Sequence, residues 1–492
     1  MRNLRLLLLF FFAATVARAA ERPNVLFIVI DDLRPELGCY GGAAVSPNLN
    51  RLAGRGVLFE RAYVQQAVCS PSRASVMTGA RPDTTKVWDL VTHFRTALPD
   101  VVTLGQLFKN HGYHSQGMGK IFHGGYNDES TWSVAWQTPP APAYALAANL
   151  ALHRRQESLP KNPAADGVRG VSRADTRGPA FEGADVPDNY FTDGKTAELA
   201  VSTLRSLAEE KRPFFLAVGL VKPHLPFVAP KRYWDLYDPA KLTLAPNPFR
   251  PKGAPDYAVL PGGEMRAYHG IPEGSIPPDL ARQLKHGYLA SISYTDAQVG
   301  LLLAELARSG LDKNTIVVVW GDHGWKLGEH DAWCKHSTTE NDTNAPLIIS
   351  APGLPTAGQR SRSLVEFVDI YPTLAELAGL PLPAHLEGVS LKPLLANPAR
   401  PWKAAAFSQY PRSGGQTGVG PLMGYSMRTD RHRLTVWVER EDATKIHATE
   451  LYDLQADPQE NTNLAAEPAH AALLDRLMQQ WRGGWRQAKP AA

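Results

Sequence analysis

In this 492-residue sequence, the residues whose types and spacing most clearly suggest chemistry form a short stretch, Cys-x-Pro-Ser-Arg, that begins at Cys69. Pro71 suits the first turn of a helix, Ser72 can cap it, and the glycine at the end of 68–79 can stop it. Cys69 would then lie at a helix N-terminus, where an anion is favoured, with Arg73 one turn further on. The spacing predicts a nucleophile and a guanidinium that contact the same oxyanion.

Two pairs of polar residues each follow a continuous apolar run. Asp31 and Asp32 come after residues 24–30, and Asp322 and His323 come after residues 315–321. Such runs are typical of strands buried on both faces of a parallel sheet. Ligands of these sheets collect at the carboxyl ends of the strands, and adjacent carboxylates repel one another unless a cation neutralises them. The repeated placement therefore predicts a metal site at this edge.

Basic and titratable side chains are predicted near the same edge. A third apolar run, at 213–220, leads to His224, while Lys120 and His123 follow a glycine-containing segment at 117–119. Glycines allow a close approach of the backbone. Taken alone, Lys120 and His123 are more typical of a surface loop, so their meaning depends on the fold.

Helical and extended patterns alternate along most of the chain. Helices are predicted at 104–110, 196–211 and 284–309, and this alternation indicates an α/β domain at 20–396 with a mostly parallel central sheet flanked by helices. From about residue 397 the pattern changes. Antiparallel strands at 425–429 and 433–438 and a helix at 469–485 predict a smaller α+β subdomain at 397–492.

The N-terminus has the pattern of an export signal. A basic start, an apolar run and Ala-Arg-Ala at 17–19 predict a signal peptide at 1–19 and a secreted or periplasmic protein. No later apolar run is long enough to predict a membrane span. Cleavage would remove three arginines and no acid from a chain of formal charge +4, which argues against a nucleic-acid partner. Export would permit a disulfide between Cys39 and Cys334, although two remaining cysteines rarely establish a pair.

Taken together, these residues resemble type I sulfatases, a branch of the alkaline-phosphatase superfamily, and within it the iduronate-2-sulfatase subfamily. The resemblance covers nearly the whole mature chain. Its most specific part is Cys-x-Pro-Ser-Arg at 69–73, the signature that a formylglycine-generating maturation enzyme reads. The Asp-His pair at 322–323 narrows the resemblance from sulfatases in general to this subfamily. Further matching segments lie at 119–123, 222–224, 324–330, 423–429 and 452–458.

The resemblance implies an alkaline-phosphatase-like fold, one Ca²⁺ and a formylglycine (3-oxoalanine) formed from Cys69. The implied metal ligands are Asp31, Asp32, Asp322, His323 and the modified residue at 69. The sulfate oxygens would be neutralised by Arg73, Lys120 and Lys335. His123 would act as the base, and His224 or Lys335 would protonate the leaving oxygen.

The substrate implied by the resemblance is a sulfated carbohydrate, with a 2-O-sulfated uronic acid as the closest match. Its contacts are expected at Trp325, His336 and Arg428, with Lys326 and Arg433 as further candidate cations for a carboxylate. Two alternatives remain open at this point. One is a phosphoester or phosphonate hydrolase of the same superfamily, and the other is a sulfated-glycan-binding protein without catalysis.

Overall fold

The computed structural model describes residues 22–157 and 177–490; the predicted signal peptide lies outside them. The strands are β1 Asn24–Ile30, β2 Val57–Phe59, β3 Ala62–Tyr63, β4 His114–Gly119, β5 Arg177–Pro179, β6 Phe181–Ala184, β7 Phe214–Leu220, β8 Phe227–Pro230, β9 Tyr268–His269, β10 Thr315–Gly321, β11 Leu347–Ser350, β12 Arg360–Ser361, β13 Val365–Glu366, β14 Ala406–Arg412, β15 Leu422–Arg428, β16 His432–Glu439 and β17 Asp442–Asp453. The helices are α1 Pro47–Ala53, α2 Cys69–Thr78, α3 Pro82–Thr85, α4 Leu104–Asn110, α5 Ala147–Glu157, α6 Thr192–Glu210, α7 Lys231–Trp234, α8 Gly263–Arg266, α9 Pro278–Arg308, α10 Glu340–Thr343, α11 Ile370–Leu377, α12 Lys392–Ala396, α13 Gly414–Thr417 and α14 Ala471–Gln487.

Seven strands form the central sheet in the order β12-β2-β11-β10-β1-β7-β4. Strand β1 is parallel to β10 and β7, and β7 is parallel to β4, whereas β11 is antiparallel to both of its neighbours. Alternate side chains of β1 pack into two hydrophobic clusters, one against α1, α6 and α9 and the other against α2, α4 and α11. Burial on both faces explains the continuous apolar run and confirms the predicted α/β class.

The register of the three central strands aligns their carboxyl ends. Ile30 of β1 pairs with Gly321 of β10 on one side and with Leu220 of β7 on the other. The backbone N–H of Asp31 donates to the Leu220 carbonyl, and that of Asp322 donates to the Ile30 carbonyl, both at 3.1 Å. The residues that follow the three strands therefore meet at one edge, as the sequence predicted.

The second sheet is antiparallel, with the order β14-β15-β16-β17. Strand β15 includes all but the last residue of the predicted segment 425–429, and β16 contains the predicted segment 433–438, whereas β14 and β17 were not predicted. The predicted helix at 284–309 was placed too late, since α9 begins at Pro278, where a proline without an N–H is tolerated in the first turn. Among the described residues, no helix is both long and apolar enough to cross a membrane.

The three cysteines are free thiols, so the structure does not form the Cys39–Cys334 disulfide. Cys39 belongs to a short 3-10 helix, and its carbonyl accepts a hydrogen bond from Arg360 at 2.5 Å. Cys334 instead packs against the segment around Gly262, where an added Cβ would lie 2.7 Å from its sulfur. The two thiols are therefore buried among different neighbours. Burial raises the pKa of Cys39 to about 11 and that of Cys334 to about 12.

Candidate active site

Cys69 is the first residue of helix α2, as predicted from the proline that follows it. Val68 precedes it in an extended conformation, and Gly79 ends the helix with φ of 69°. The thiol is 2% exposed, with its sulfur 3.4 Å from Nε2 of His323 and 3.7 Å from Nζ of Lys120. Ser72 does not cap the helix, because it lies inside α2 and its hydroxyl donates to the Asp322 carbonyl.

Three carboxylates from two strand ends are fully buried beside Cys69. They belong to Asp31, Asp32 and Asp322, and each has no exposed surface. Asp322 also accepts a hydrogen bond from the backbone N–H of Asp32 at 2.9 Å, which joins the ends of β1 and β10 directly. Burial of three acidic groups within one cluster is costly unless cations compensate them.

Arg73, Lys120 and Lys335 supply that compensation. The guanidinium of Arg73 donates to Asp31 and Asp322, both at 2.8 Å. Lys120 pairs with Asp31, and Lys335 donates to both oxygens of Asp32 at 2.9 and 3.0 Å. That Arg73 and residue 69 contact the same oxyanion stays a prediction, since the guanidinium here donates to the two carboxylates and to backbone carbonyls.

A donor set for a metal ion is present at the same edge. Ligand atoms of Asp31, Asp32, Cys69 and His323 all lie within 4.8 Å of one another. His323 approaches Asp32 at 3.3 Å and Asp322 at 3.6 Å through Nε2, while its Nδ1 lies 2.9 Å from the Gly324 carbonyl. Two of these four ligands are carboxylates, which Ca²⁺ prefers, and the thiol and the imidazole are softer ligands. Asp322, the other predicted ligand, is not in this group, and its two oxygens accept hydrogen bonds from the Asp32 N–H and from Arg73.

Electrostatics at the cluster favour an ionised Asp31 and an uncharged thiol, whereas burial raises the pKa of Asp322. Burial raises the pKa of Cys69 well above its usual range, and Asp31 raises it further, despite Lys120. Burial alone would raise the pKa of Asp31, but Lys120 and Arg73 hold it well below its usual range. An unmodified Cys69 is therefore a poor nucleophile here, since thiolate is the reactive form.

His123 stands beside the cluster as a neutral ring. Burial and the nearby Lys120 lower its pKa to about 4. Its Nδ1 is buried and has no hydrogen-bond partner, and its ring lies 6.3 Å from that of Tyr126 at an angle of 21°. The neutral ring has a buried nitrogen free for a hydrogen bond with a group that enters the site, although its lowered pKa makes protonation unfavourable beside the charge of Lys120.

His224 and Lys335 approach the cluster from another side and share a partner that the sequence did not reveal. Glu264 places one oxygen 3.0 Å from Nε2 of His224 and the other 2.7 Å from Nζ of Lys335. Burial alone would raise the pKa of Glu264, but Lys335 and His224 hold it well below its usual range. Glu264 lies in a proline- and glycine-rich connection with no motif, so no local pattern pointed to it.

Of the three predicted substrate contacts, Trp325 and His336 lie beside Lys335, and Arg428 lies elsewhere. Trp325 is fully buried, and its ring lies 4.8 Å from Nζ of Lys335. His336 adjoins Lys335 with φ of 95°, and burial lowers its pKa to about 3. Arg428 is instead on the second sheet, where its guanidinium pairs with Glu340 at 3.2 Å and lies 6.0 Å from the ring of Tyr63. Arg428 thus contacts residues of the second sheet and its neighbours, and we observe no contact between it and the Cys69 cluster among the described residues.

Comparison with known proteins identifies the fold and its chemistry. A sulfatase family model matches residues 23–380, and a model described as N-sulphoglucosamine sulphohydrolase, C-terminal, matches residues 328–485. The iduronate 2-sulfatase of Mus musculus is 36% identical, covering 94% of this chain and 95% of the relative.

Two solved structures resemble the whole chain. The phosphonate monoester hydrolase of Silicibacter pomeroyi superposes with a TM-score of 0.74 at 25% identity, covering 95% of this chain and 96% of the other. An enzyme solved with its substrate D-glucosamine-2-N,6-O-disulfate superposes with a TM-score of 0.71 at 23% identity, covering 95% and 98%. The chain therefore belongs to the sulfatase family of the alkaline-phosphatase superfamily and is a sulfuric ester hydrolase.

Proposed function

We propose that this protein is an exported sulfatase that removes sulfate from a sulfated carbohydrate, with a 2-O-sulfated uronic acid as its substrate. The observation that carries the proposal is the buried cluster in which Cys69, at the start of α2, lies among Asp31, Asp32, His323 and Lys120. The iduronate 2-sulfatases at 36% identity support the choice of sugar. Export rests on the signal-peptide pattern at 1–19.

We propose further that position 69 carries formylglycine and that one Ca²⁺ binds Asp31, Asp32, Asp322, His323 and the modified residue. The donor set fits calcium because its carboxylates are hard oxygen ligands. The Cys-x-Pro-Ser-Arg stretch at 69–73, which resembles the maturation signature of type I sulfatases, supports modification. When bound, the ion would polarise the sulfate and the nucleophile, and the hydrated aldehyde would offer one hydroxyl for attack on sulfur and a second for release of sulfate.

Other side chains of the protein would neutralise charge and transfer protons during the reaction. Arg73, Lys120 and Lys335 would neutralise the sulfate oxygens. His123 would accept the proton of the second hydroxyl, consistent with its neutral ring and its buried nitrogen without a partner. His224 or Lys335 would give a proton to the leaving oxygen as the sulfur–oxygen bond breaks.

The alternative substrate is a phosphonate monoester, which carries one negative charge as a sulfate ester does and which the phosphonate monoester hydrolase of Silicibacter pomeroyi suggests.

Two measurements test the proposal. Protein produced together with a maturation enzyme should show the mass of an aldehyde or its hydrate at position 69, and it should hydrolyse 4-nitrophenyl sulfate faster than the matching phosphate or phosphonate. The Cys69→Ala variant is the control for contaminating activity. Full sulfatase activity with an unmodified thiol would contradict the modification, and faster phosphonate hydrolysis would favour the alternative. A protein that binds sulfated glycans but hydrolyses none would favour the other alternative, a sulfated-glycan-binding protein without catalysis.

The sugar is tested with two substrates of the same ring size, a 2-O-sulfated uronate and a neutral sugar sulfate. If the carboxylate is recognised, its loss should lower kcat/KM by ~30-fold or more, because a cation in the site would lose its partner. Equal values would contradict the uronate assignment and leave the sulfatase assignment intact.

A further inference from the structure

The short helix α8 places one carboxylate, that of Glu264, against the catalytic edge. Met265, the next residue, is fully buried in the hydrophobic cluster around α9 and anchors the helix. Gly262 precedes α8 so close to the 333–334 backbone that an added Cβ would lie 2.6 Å from the Trp333 carbonyl oxygen. The close approach, available only to glycine, fixes α8 beside the segment that leads into Lys335.

Both oxygens of Glu264 are occupied by donors that come from different parts of the sheet edge. His224 follows β7 and lies 3.0 Å from one oxygen, and Lys335 follows β10 and lies 2.7 Å from the other. The far nitrogen of the His224 ring lies 2.7 Å from the Leu225 carbonyl, and Lys335 also binds Asp32. Glu264 therefore links the two candidate proton donors at hydrogen-bond distance, whereas Asp32, which also binds Lys335, lies 3.9 Å from Nε2 of His224.

A second metal ion is not the explanation for this cluster. Ligand atoms of Asp32, His224 and Glu264 are close enough to hold one. The ammonium of Lys335, however, already contacts Asp32 at 2.9 Å and Glu264 at 2.7 Å. A cation supplied by the chain thus bridges the carboxylates.

We infer that Glu264 is a positioning residue for departure of the alcohol, holding His224 and Lys335 where one of them can protonate the leaving oxygen. The inference rests on the proposed function. As the S–O bond breaks, its electron pair stays on the alcohol oxygen, and that oxygen takes a proton from His224 or Lys335. A sugar alkoxide is a poor leaving group and needs this proton, whereas 4-nitrophenolate leaves without it.

The test compares the two leaving groups in the calcium-loaded, formylglycine-containing enzyme. Glu264→Gln keeps the size of the side chain and removes its charge. We expect kcat for a sugar sulfate to fall by ~10–100-fold with little change in KM, and kcat/KM for 4-nitrophenyl sulfate to change by less than ~3-fold. Glu264→Asp should recover part of the sugar-sulfate activity. Glu273→Gln, at an exposed position in the same connection, is the matched control.

Three outcomes would overturn the inference: equal losses on both substrates, a loss confined to KM, or no loss on the sugar sulfate. If Glu264→Gln does not fold, Glu264→Asp decides the question by the same comparison, since a selective loss on the sugar sulfate supports the role and a uniform loss refutes it. Wild-type enzyme that hydrolyses neither sulfate would instead refute the proposed function, so the two failures are distinguishable.

Discussion

Replacing Arg73 with lysine tests whether a guanidinium is required to bind the ends of β1 and β10 together. Arg73 has no exposed surface and uses separate nitrogens for Asp31 and Asp322, both at 2.8 Å. A third nitrogen donates to the carbonyls of Lys120 and Ile121. A lysine keeps the charge, but a single ammonium cannot reproduce this planar, divided arrangement.

The magnitude follows from the bonds that are lost. A hydrogen bond to a charged group contributes about 1.5–3 kcal/mol, and Arg73→Lys should lose at least one, so we expect a destabilisation of ~2–3 kcal/mol. Arg73→Ala removes the partner of two buried carboxylates, for which ~3–5 kcal/mol is expected. Urea unfolding of the unmodified protein in chelator measures both without depending on maturation, because Arg73 is itself part of the maturation signature.

The matched control is Arg205→Lys. Arg205 pairs with Glu305 at 3.2 Å but is 56% exposed, so its replacement should cost less than ~0.5 kcal/mol. The reasoning would be refuted if Arg73→Lys unfolded at the same urea concentration as wild type with an unchanged slope. It would also be refuted if the two arginines behaved alike, because burial would then have no influence on the outcome.

Two further predictions concern the metal and pH. If calcium binds the folded carboxylate cluster as proposed, its removal should abolish activity and lower the melting temperature; full activity after metal analysis confirms its loss would contradict the site. Burial and the nearby Lys326 lower the pKa of His330 to about 4, below its usual ~6.5, so the folded state binds fewer protons than the unfolded state between these pH values. The free energy of unfolding should therefore fall by up to ~3 kcal/mol as the pH drops from about 6.5 towards 4. His330→Gln should flatten that part of the stability–pH curve in urea titrations, whereas His447→Gln at the surface serves as control; an unchanged slope in His330→Gln would contradict the assignment.

The parts of the fold that the sequence predicted are those with strong local signals. Strands β1, β7 and β10 are buried on both faces and therefore appear as continuous apolar runs, and α2 has a proline near its start and a glycine after its end. Strand β17 was missed because its first half is largely exposed and its buried residues begin only at Glu450. The antiparallel direction of β11 depends on the route of the chain between strands, which a four-residue apolar segment does not encode.

The site shows the same division between local and long-range information. Each dipeptide at a strand end could be recognised locally, and the parallel register then brought the pairs together. Glu264 could not be found in this way, because its importance comes only from the two donors at 2.7 and 3.0 Å that other segments supply. Ser72 was misassigned as a cap because its hydroxyl finds a carbonyl at the end of β10 instead of a backbone N–H in its own turn.

The cations predicted to recognise a substrate carboxylate illustrate why charge alone is a poor guide to binding. Lys326 pairs with Asp342 inside the fold, and Arg428 and Arg433 both pair with Glu340, as a buried charge requires. The sequence showed the three cations but not these partners, which the fold brings to them. A cation that serves the substrate must instead have a position that the substrate anion can share. Lys335 is also paired, with Asp32 and Glu264, but it lies at the strand ends near Cys69, where a substrate anion could share it; which cation recognises the carboxylate stays a prediction.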